Sequence, residues 1–330
     1  MDFMKEIGAR AKEMHGHIMS YLEEGEPENL VRAARHYPEA GGKRMRPILA
    51  QVVAEAVGGK GREAIPFGVA LEIIHNFTLV HDDVMDQDDV RRGRPAVHVL
   101  FDVPTAIIAG DALFARAFEI ISELEVEDAS VRKLLKLTAR GVWLIAEGQQ
   151  MDINNENNPD VTVEEYLKTV ENKTAVLFAC ASEGGAIIGG GTDEQVRAMR
   201  DYAMNMGIGF QIWDDVLGIV ADEGKLGKPV GSDIRNGKRT LIVLHALKGL
   251  KATDPGKRVR LLEVLGNEEA SDAEVVEAIS ILDEVGSIEY ARQEALRYAA
   301  EAKRRLDCIP DGEEKEFLLA LVDYAVGREL

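Results

Sequence analysis

LEIIHNFTLVHDDVMDQDDVRRGRP, residues Leu71 to Pro95, runs from apolar residues into a concentration of charge, and its spacing decides how the chain is read. Apolar residues recur at intervals of three and four, the period of a helix. On that helix Asp82 and Asp86 are four apart and Asp83 is three before Asp86, so three carboxylates crowd onto one side within about one turn. Two carboxylates ~4 Å apart repel by roughly 4 kcal/mol at an effective dielectric near 20, more than a helix recovers from local pairs. A divalent cation removes that cost. Mg²⁺ favours oxygen ligands from one or two carboxylates and completes its shell with water and phosphate. Arg91 and Arg92 follow at once, and guanidinium forks suit phosphate oxygens.

The same pattern recurs downstream. FQIWDDVLG, Phe210 to Gly218, is again an apolar helical run ending in adjacent aspartates, Asp214 and Asp215. One such cluster can be a solvated helix end; two, each with cationic residues after it, point to a shared purpose. Between and around them nearly every window has helical spacing, with few alternating β-branched runs, so the chain is expected to be all-α. Gly41-Gly42, Gly58-Gly59, Pro104, Pro159, Gly189–Gly191 and Gly224–Gly231 punctuate long helices over Met1–Glu24, Arg46–Val57, Arg62–Asp86, Pro104–Leu124, Asp128–Asn154, Thr162–Ile188 and Asp193–Ala221, with four or five more to Arg328. No linker or low-complexity tract splits them, so residues 1–330 are expected to form a single domain, a helical bundle around a deep central cavity.

Composition narrows the partners. Lys plus Arg is 39 against 58 Asp plus Glu, a net charge of −19, which argues against a nucleic-acid surface or an anionic membrane surface and makes any phosphate site local. The two cysteines, Cys180 and Cys308, lie in apolar helical contexts and read as buried small side chains in a reducing compartment. The N-terminal stretch has mixed charge and no apolar core, unlike a signal or transit peptide. Weakly charged stretches such as Thr174–Gly191 fall short of the ~20 apolar residues a spanning helix needs, so no stable membrane insertion is expected.

Basic clusters answer the acidic ones. GGKRMRP, Gly41–Pro47, places Lys43, Arg44 and Arg46 in a glycine-started loop that Pro47 turns into a helix, a geometry that suits an anion. His75 lies seven residues before Asp82, on the same helix face. EGQQMDI, with Gln149 and Asp152, and ENKTA, with Lys173 and Thr174, are unspecific alone. The polar segment Asp222–Thr240, carrying Lys228, Lys238 and Arg239 among glycines, reads as a mobile flap that closes basic groups over a phosphate. There is no GxxxxGK[ST] or strand-linked GxGxxG, and no nucleophile with a His and an acid at convincing spacing. What remains is metal-assisted departure of diphosphate from an allylic carbon in an apolar cavity.

In this order GGKRMRP, LVHDDVMD with RRGRP, AGD at Ala109–Asp111, GQQMD, the Lys173-Thr174 pair, and FQIWDD with GKPVGSDI and GKRT resemble the trans-isoprenyl diphosphate synthases, especially the archaeal type that makes geranylgeranyl diphosphate. The resemblance covers nearly the whole chain. It implies an all-α bundle, usually a cytoplasmic homodimer, condensing isopentenyl diphosphate with C5 to C15 allylic diphosphates for lipid biosynthesis. It implies that Asp82, Asp86 and Asp214, supported by Asp83 and Asp215, hold Mg²⁺, three ions in the closed complex and replaceable by Mn²⁺. By the same resemblance Arg91, Lys173 and Lys228 bind the allylic diphosphate, Lys43, Arg46, His75 and Arg92 bind isopentenyl diphosphate, and Lys238 also serves substrate. Thr174 and Gln211 sit near the allylic cation, and Phe77 and Thr78, five and four positions before Asp82, set product length in the C20 pattern.

One position departs: the second motif is DDVLG, with Gly218 where the family has a third aspartate, and Asp222 one turn on is the candidate to substitute through water. A farnesyl or mixed C15/C20 synthase is the alternative within the family. A class I terpene cyclase would not need the second diphosphate site, and an inactive regulatory subunit would not need the intact aspartates and lysines.

Overall fold

A computed structural model describes residues 2–23, 25–156, 158–220 and 231–327. The all-α expectation holds: among the described residues, strand occurs only as the two-residue pair Val90–Arg91 and Arg94–Pro95. The helices are α1 (Phe3–Ser20), α2 (Glu28–Glu39), α3 (Met45–Ala56), α4 (Gly61–Met85), α5 (Val97–Leu100), α6 (Val103–Ser122), α7 (Asp128–Glu156), α8 (Val163–Val170), α9 (Val176–Ile188), α10 (Asp193–Val220), α11 (Ser232–Arg235), α12 (Leu241–Thr253), α13 (Pro255–Val264), α14 (Asp272–Glu284), α15 (Ser287–Arg304) and α16 (Glu313–Val326). Local chemistry sets many starts. Thr162 with Glu165 and Ser271 with Glu274 form capping boxes for α8 and α14, and Asp102 caps α6 ahead of Pro104.

Contacts divide the chain into two units. One comprises Met1–Val142, Leu177–Tyr202 and Arg305–Ala320; the other comprises Trp143–Val176, Ala203–Arg304 and Leu321–Leu330. In the first, α4 is the central element, packed against α3 and α6 and carrying buried Phe67, Leu71, Ile73 and Ile74. Glycines permit close approach to both neighbours. A Cβ at Gly68 would lie 2.5 Å from the Pro47 Cα of α3, and one at Gly110 of α6 would overlap the His81 ring. In the second unit α12 is the hub, packing on α8, α13 and α15.

Three features depart from the sequence reading. The expected helix Thr162–Ile188 is α8 and α9 joined by a π-helical segment, Glu171–Ala175. The basic stretch after α4 is a hairpin whose turn residues Arg92 (φ 54°) and Gly93 (φ 71°) both take the left-handed conformation that a two-residue type I′ turn requires. Finally, α4 is long and apolar enough to cross a membrane, contrary to the reading that no stretch reaches that length, yet 67% of its most apolar window is buried inside the protein.

Candidate active site

The first acidic cluster ends α4. Asp82 is half-buried and Asp86, at the helix C-cap, is exposed. Asp83 points the other way and is fully buried. Its Oδ1 accepts from Arg91, with Nε at 2.8 Å, and its Oδ2 accepts from the Tyr37 hydroxyl. Burial and the Asp83 hydrogen bond push the Tyr37 phenol well above its ordinary range, so it stays a neutral donor. Asp83, which the sequence reading places among the metal residues, uses both oxygens on Tyr37 and Arg91 and so fixes the hairpin that carries Arg91.

The glycine loop meets that hairpin. Arg92 Nη1 donates to the Gly41 carbonyl at 2.6 Å. Arg44, buried with φ 48°, turns inward, donating to Glu72 at 3.1 Å, meeting His15 Nδ1 at 3.3 Å and donating to the Pro38 carbonyl. Arg46 lies 3.9 Å from the other Glu72 oxygen and 4.5 Å over the Phe178 ring, leaving its buried Nε without a partner. Burial lowers Arg46 to about 10, Glu72 opposing and Arg92 adding to the fall, so it remains charged at neutral pH. His75 faces the same arginines: burial first, then Arg46, Arg92, Arg91 and Arg44, hold it well below its ordinary value and therefore neutral. Lys43 is exposed. Thr78 donates to the His75 carbonyl at 2.9 Å, and Phe77 stacks edge-on at 5.6 Å from Phe114, which lies 4.9 Å from Phe118.

The second acidic cluster lies on α10. Asp214 is half-buried and Asp215 buried. A chain of hydrogen bonds ends on Asp215: Thr174 donates to Gln211 Oε1 at 3.0 Å, Gln211 Nε2 donates to Asp215 Oδ1 at 3.0 Å, and the Tyr166 hydroxyl donates to Oδ2 at 2.6 Å. Burial pushes the Asp215 carboxyl up to about 7; the Tyr166 hydrogen bond opposes it, Asp233 adds to it, and Gln211 and Lys238 oppose it. Lys238 Nζ lies 3.1 Å from Asp233 Oδ1, and Lys173 Nζ 2.6 Å from Asp152 Oδ2. Lys173 and Thr174 both belong to the π segment, the kind of helix irregularity that recurs at functional sites. Gly148 permits it, because a Cβ there would overlap the Lys173 backbone nitrogen.

The predicted flap is described only from Gly231 onward; Lys228 and Asp222 lie outside the described residues. Of its remaining cations, Lys238 joins the acidic cluster, whereas the charge acting on Arg239 is that of Arg258 on α13.

The profile of the polyprenyl synthetase family matches residues 27–282. The chain belongs to that family. Among relatives of this polyprenyl synthetase, the geranylgeranyl diphosphate synthase of Methanosarcina mazei is 43% identical over 330 residues, covering 100% of this chain and 99% of the relative. A geranylgeranyl pyrophosphate synthetase from Pyrococcus horikoshii has the same fold, with a TM-score of 0.93, 41% identity and 99% of each chain covered. A geranylgeranyl pyrophosphate synthase from Corynebacterium glutamicum, complexed with isoprenyl diphosphate and magnesium, matches with a TM-score of 0.87, 26% identity and 99% of each chain covered. This chain is a short-chain prenyltransferase.

A divalent metal goes with that family, and the donors fit a hard cation, being aspartate carboxylates with no thiolate or imidazole among them. Among the described residues no three His, Cys, Asp or Glu side chains group closely enough to hold an ion alone. Sequence reasoning missed Tyr37, Glu72, Tyr166 and Asp233. Only Glu72 carried a local signal, as a lone acid inside the apolar run of α4, three residues before His75.

Proposed function

We propose that this polyprenyl synthetase makes geranylgeranyl diphosphate by adding isopentenyl diphosphate to C5, C10 and C15 allylic diphosphates. The observation that carries the reading is the meeting of Arg92 with the glycine loop beside Arg46 and neutral His75, a cationic cradle. A cyclase, with one diphosphate to bind, has no use for it. Lys43, Arg46, His75 and Arg92 hold isopentenyl diphosphate there. Arg46 offers a fork and His75 a neutral N–H, so the second substrate is bound without an acid near its reacting alkene.

Asp82 and Asp86, and Asp214, hold Mg²⁺, as three ions that Mn²⁺ can replace, with Arg91, Lys173 and Lys228 on the allylic diphosphate. Bound Mg²⁺ supplies Lewis acidity toward the departing diphosphate. The protein's share is to shelter the positive charge left on carbon. Thr174 spends its hydrogen on Gln211, so its hydroxyl presents lone pairs to the cation. Phe77, backed by Phe114, closes the channel at C20 length, with Thr78 beside it.

Residues 1–330 act as one domain, since the family profile spans residues of both units, and the protein works in the cytoplasm as a homodimer. Exposed Val103, Ile107, Ile108 and Phe114 on α6 give the homodimer an apolar face. Incubating the protein with Mg²⁺, isopentenyl diphosphate and each allylic primer, then sizing the products, should give mainly C20. No product from any primer would overturn the reading.

A further inference from the structure

Arg239, which the sequence reading groups with Lys238 in the flap, does not share the contacts of its neighbour. Lys238 meets Asp233 at 3.1 Å and is acted on by Asp215 and Asp152 as well. Among the described residues no acid acts on Arg239: burial first, and then the charge of Arg258 on α13, lower its guanidinium from the ordinary value. The Nε and Nη1 groups of Arg239 and the Nε group of Arg258 are buried and have no hydrogen-bond partner. The fold sets the two side chains at one junction. Arg239 stands two residues before α12, which packs on α13, and Gly266 just beyond α13 donates its N–H to the Ile234 carbonyl at 2.9 Å. Other arginines have their acids: Glu72 for Arg44, Asp83 for Arg91, Asp272 for Arg235 and Glu277 for Arg260.

We propose that Arg239 and Arg258 form a second anion site, one that takes a phosphate-type dianion between the start of α12 and α13. Neither residue has a part in the reaction as described above, and Arg258 lies outside every stretch on which the family resemblance rests. Three features support the site. Buried guanidinium N–H groups without acceptors are costly, and here three of them belong to two side chains whose charges act on each other. The lack of an acid is not a shortage of acids, because the chain has 58 Asp plus Glu against 39 Lys plus Arg. Finally, two unopposed guanidinium charges call for about two negative charges. A carboxylate brings one, whereas a phosphate group brings roughly 1.5–2 at pH 7 and matches the planar forks with several oxygens. A prenyltransferase releases inorganic diphosphate at each addition, which supplies one anion of this class; the phosphate end of an ester is the other source.

The test follows the arginine Nε–H resonances of the intact ¹⁵N-labelled protein, in metal-free buffer at constant ionic strength, during titration with inorganic phosphate. Arg239→Lys and Arg258→Lys each remove one resonance and so assign the pair. Both resonances should shift along one binding curve. Arg258→Gln should weaken phosphate binding at the Arg239 resonance by about tenfold or more, the loss of a charge-assisted hydrogen bond. Arg258→Lys, which keeps the charge without the fork, should fall between the two. Thermal unfolding in phosphate-free buffer checks that each variant folds. Acetate, with a single charge, should bind about tenfold more weakly than phosphate. Inorganic diphosphate and glycerol 3-phosphate separate the sources: shifts with the inorganic anions alone assign a free anion, and shifts with the ester as well assign a site open to a phosphate-bearing molecule. Arg239 and Arg258 resonances that stay fixed throughout, that answer acetate as readily as phosphate, or that keep full affinity in Arg258→Gln would overturn the proposal. Shifts confined to Arg46 and Arg92 would leave the substrate cradle standing without it.

Discussion

The Tyr37 hydroxyl donates to Oδ2 of Asp83, so the middle aspartate of the first acidic motif is tied to α2. Tyr37→Phe leaves that buried oxygen short of a donor and should lower the unfolding free energy by roughly 1–3 kcal/mol. The Mg²⁺ concentration for half-maximal activity should stay where it is. A shifted Mg²⁺ requirement in Tyr37→Phe would return Asp83 to the list of metal ligands.

Glu72 is the counter-charge for two arginines of the glycine loop. Its ion pair with Arg44 is shut off from water, at 3% and 0% side-chain exposure. Glu72→Gln leaves Arg44 buried without its anion, a change that costs about 3–5 kcal/mol in comparable sites, readable by urea unfolding. Because Arg46 loses the same partner, the KM for isopentenyl diphosphate should rise several-fold more than that for the allylic diphosphate.

The neutral state of His75 gives a pH signature. Its folded value lies well below the ordinary 6.5, so near that pH the folded protein binds fewer protons than the unfolded chain. The associated stability is complete above about pH 6.5 and is lost as the pH falls. His75→Gln, which keeps a neutral donor, should flatten the drop in Tm between about pH 7 and pH 5 and keep the KM for isopentenyl diphosphate within about tenfold of the original. A much larger KM increase would mean that a charged imidazole binds the substrate.

Gly148→Ala inserts a methyl where α7 meets the backbone nitrogen of Lys173. The π segment must move, and displacements of about 1 Å in a positioned group can cost about a hundredfold in rate. The expected result is a fall in kcat of that order, with product length unchanged. Normal kcat would show that Lys173 and Thr174 tolerate displacement.

Phe77→Ser removes the ring that faces Phe114 at 5.6 Å. Chromatography of the products should show chains longer than C20. An unchanged distribution would remove Phe77 from the role of floor.

What was legible in the sequence was what depends on short spacing. Asp82, Asp86, Asp214 and the glycine loop declare themselves within one or two helical turns, and long helices follow from a sustained apolar period. The partners that decide what each acid does come from far along the chain. Tyr37 is 46 residues from Asp83 and Tyr166 is 49 from Asp215, and no periodicity links them. Asp83 therefore looks like its neighbours in the sequence and differs from them only once α2 packs beside it. The hairpin was hidden for another reason: with two-residue strands, Val90–Pro95 is too short to show alternation, and only Arg92-Gly93 marks the turn.

A π segment is an α-helix holding one residue more than its hydrogen-bond ladder can take in step. Between Val170 and Val176 that surplus aims Lys173 and Thr174 while leaving the apolar pattern of α8 and α9 intact on either side. The reactive end of this helix is thus adjustable by length as well as by composition. Deleting a single residue from Glu171–Ala175 would let the ladder close and rotate one flank against the other by about 100°, a way of altering the site that no substitution in the lining reproduces.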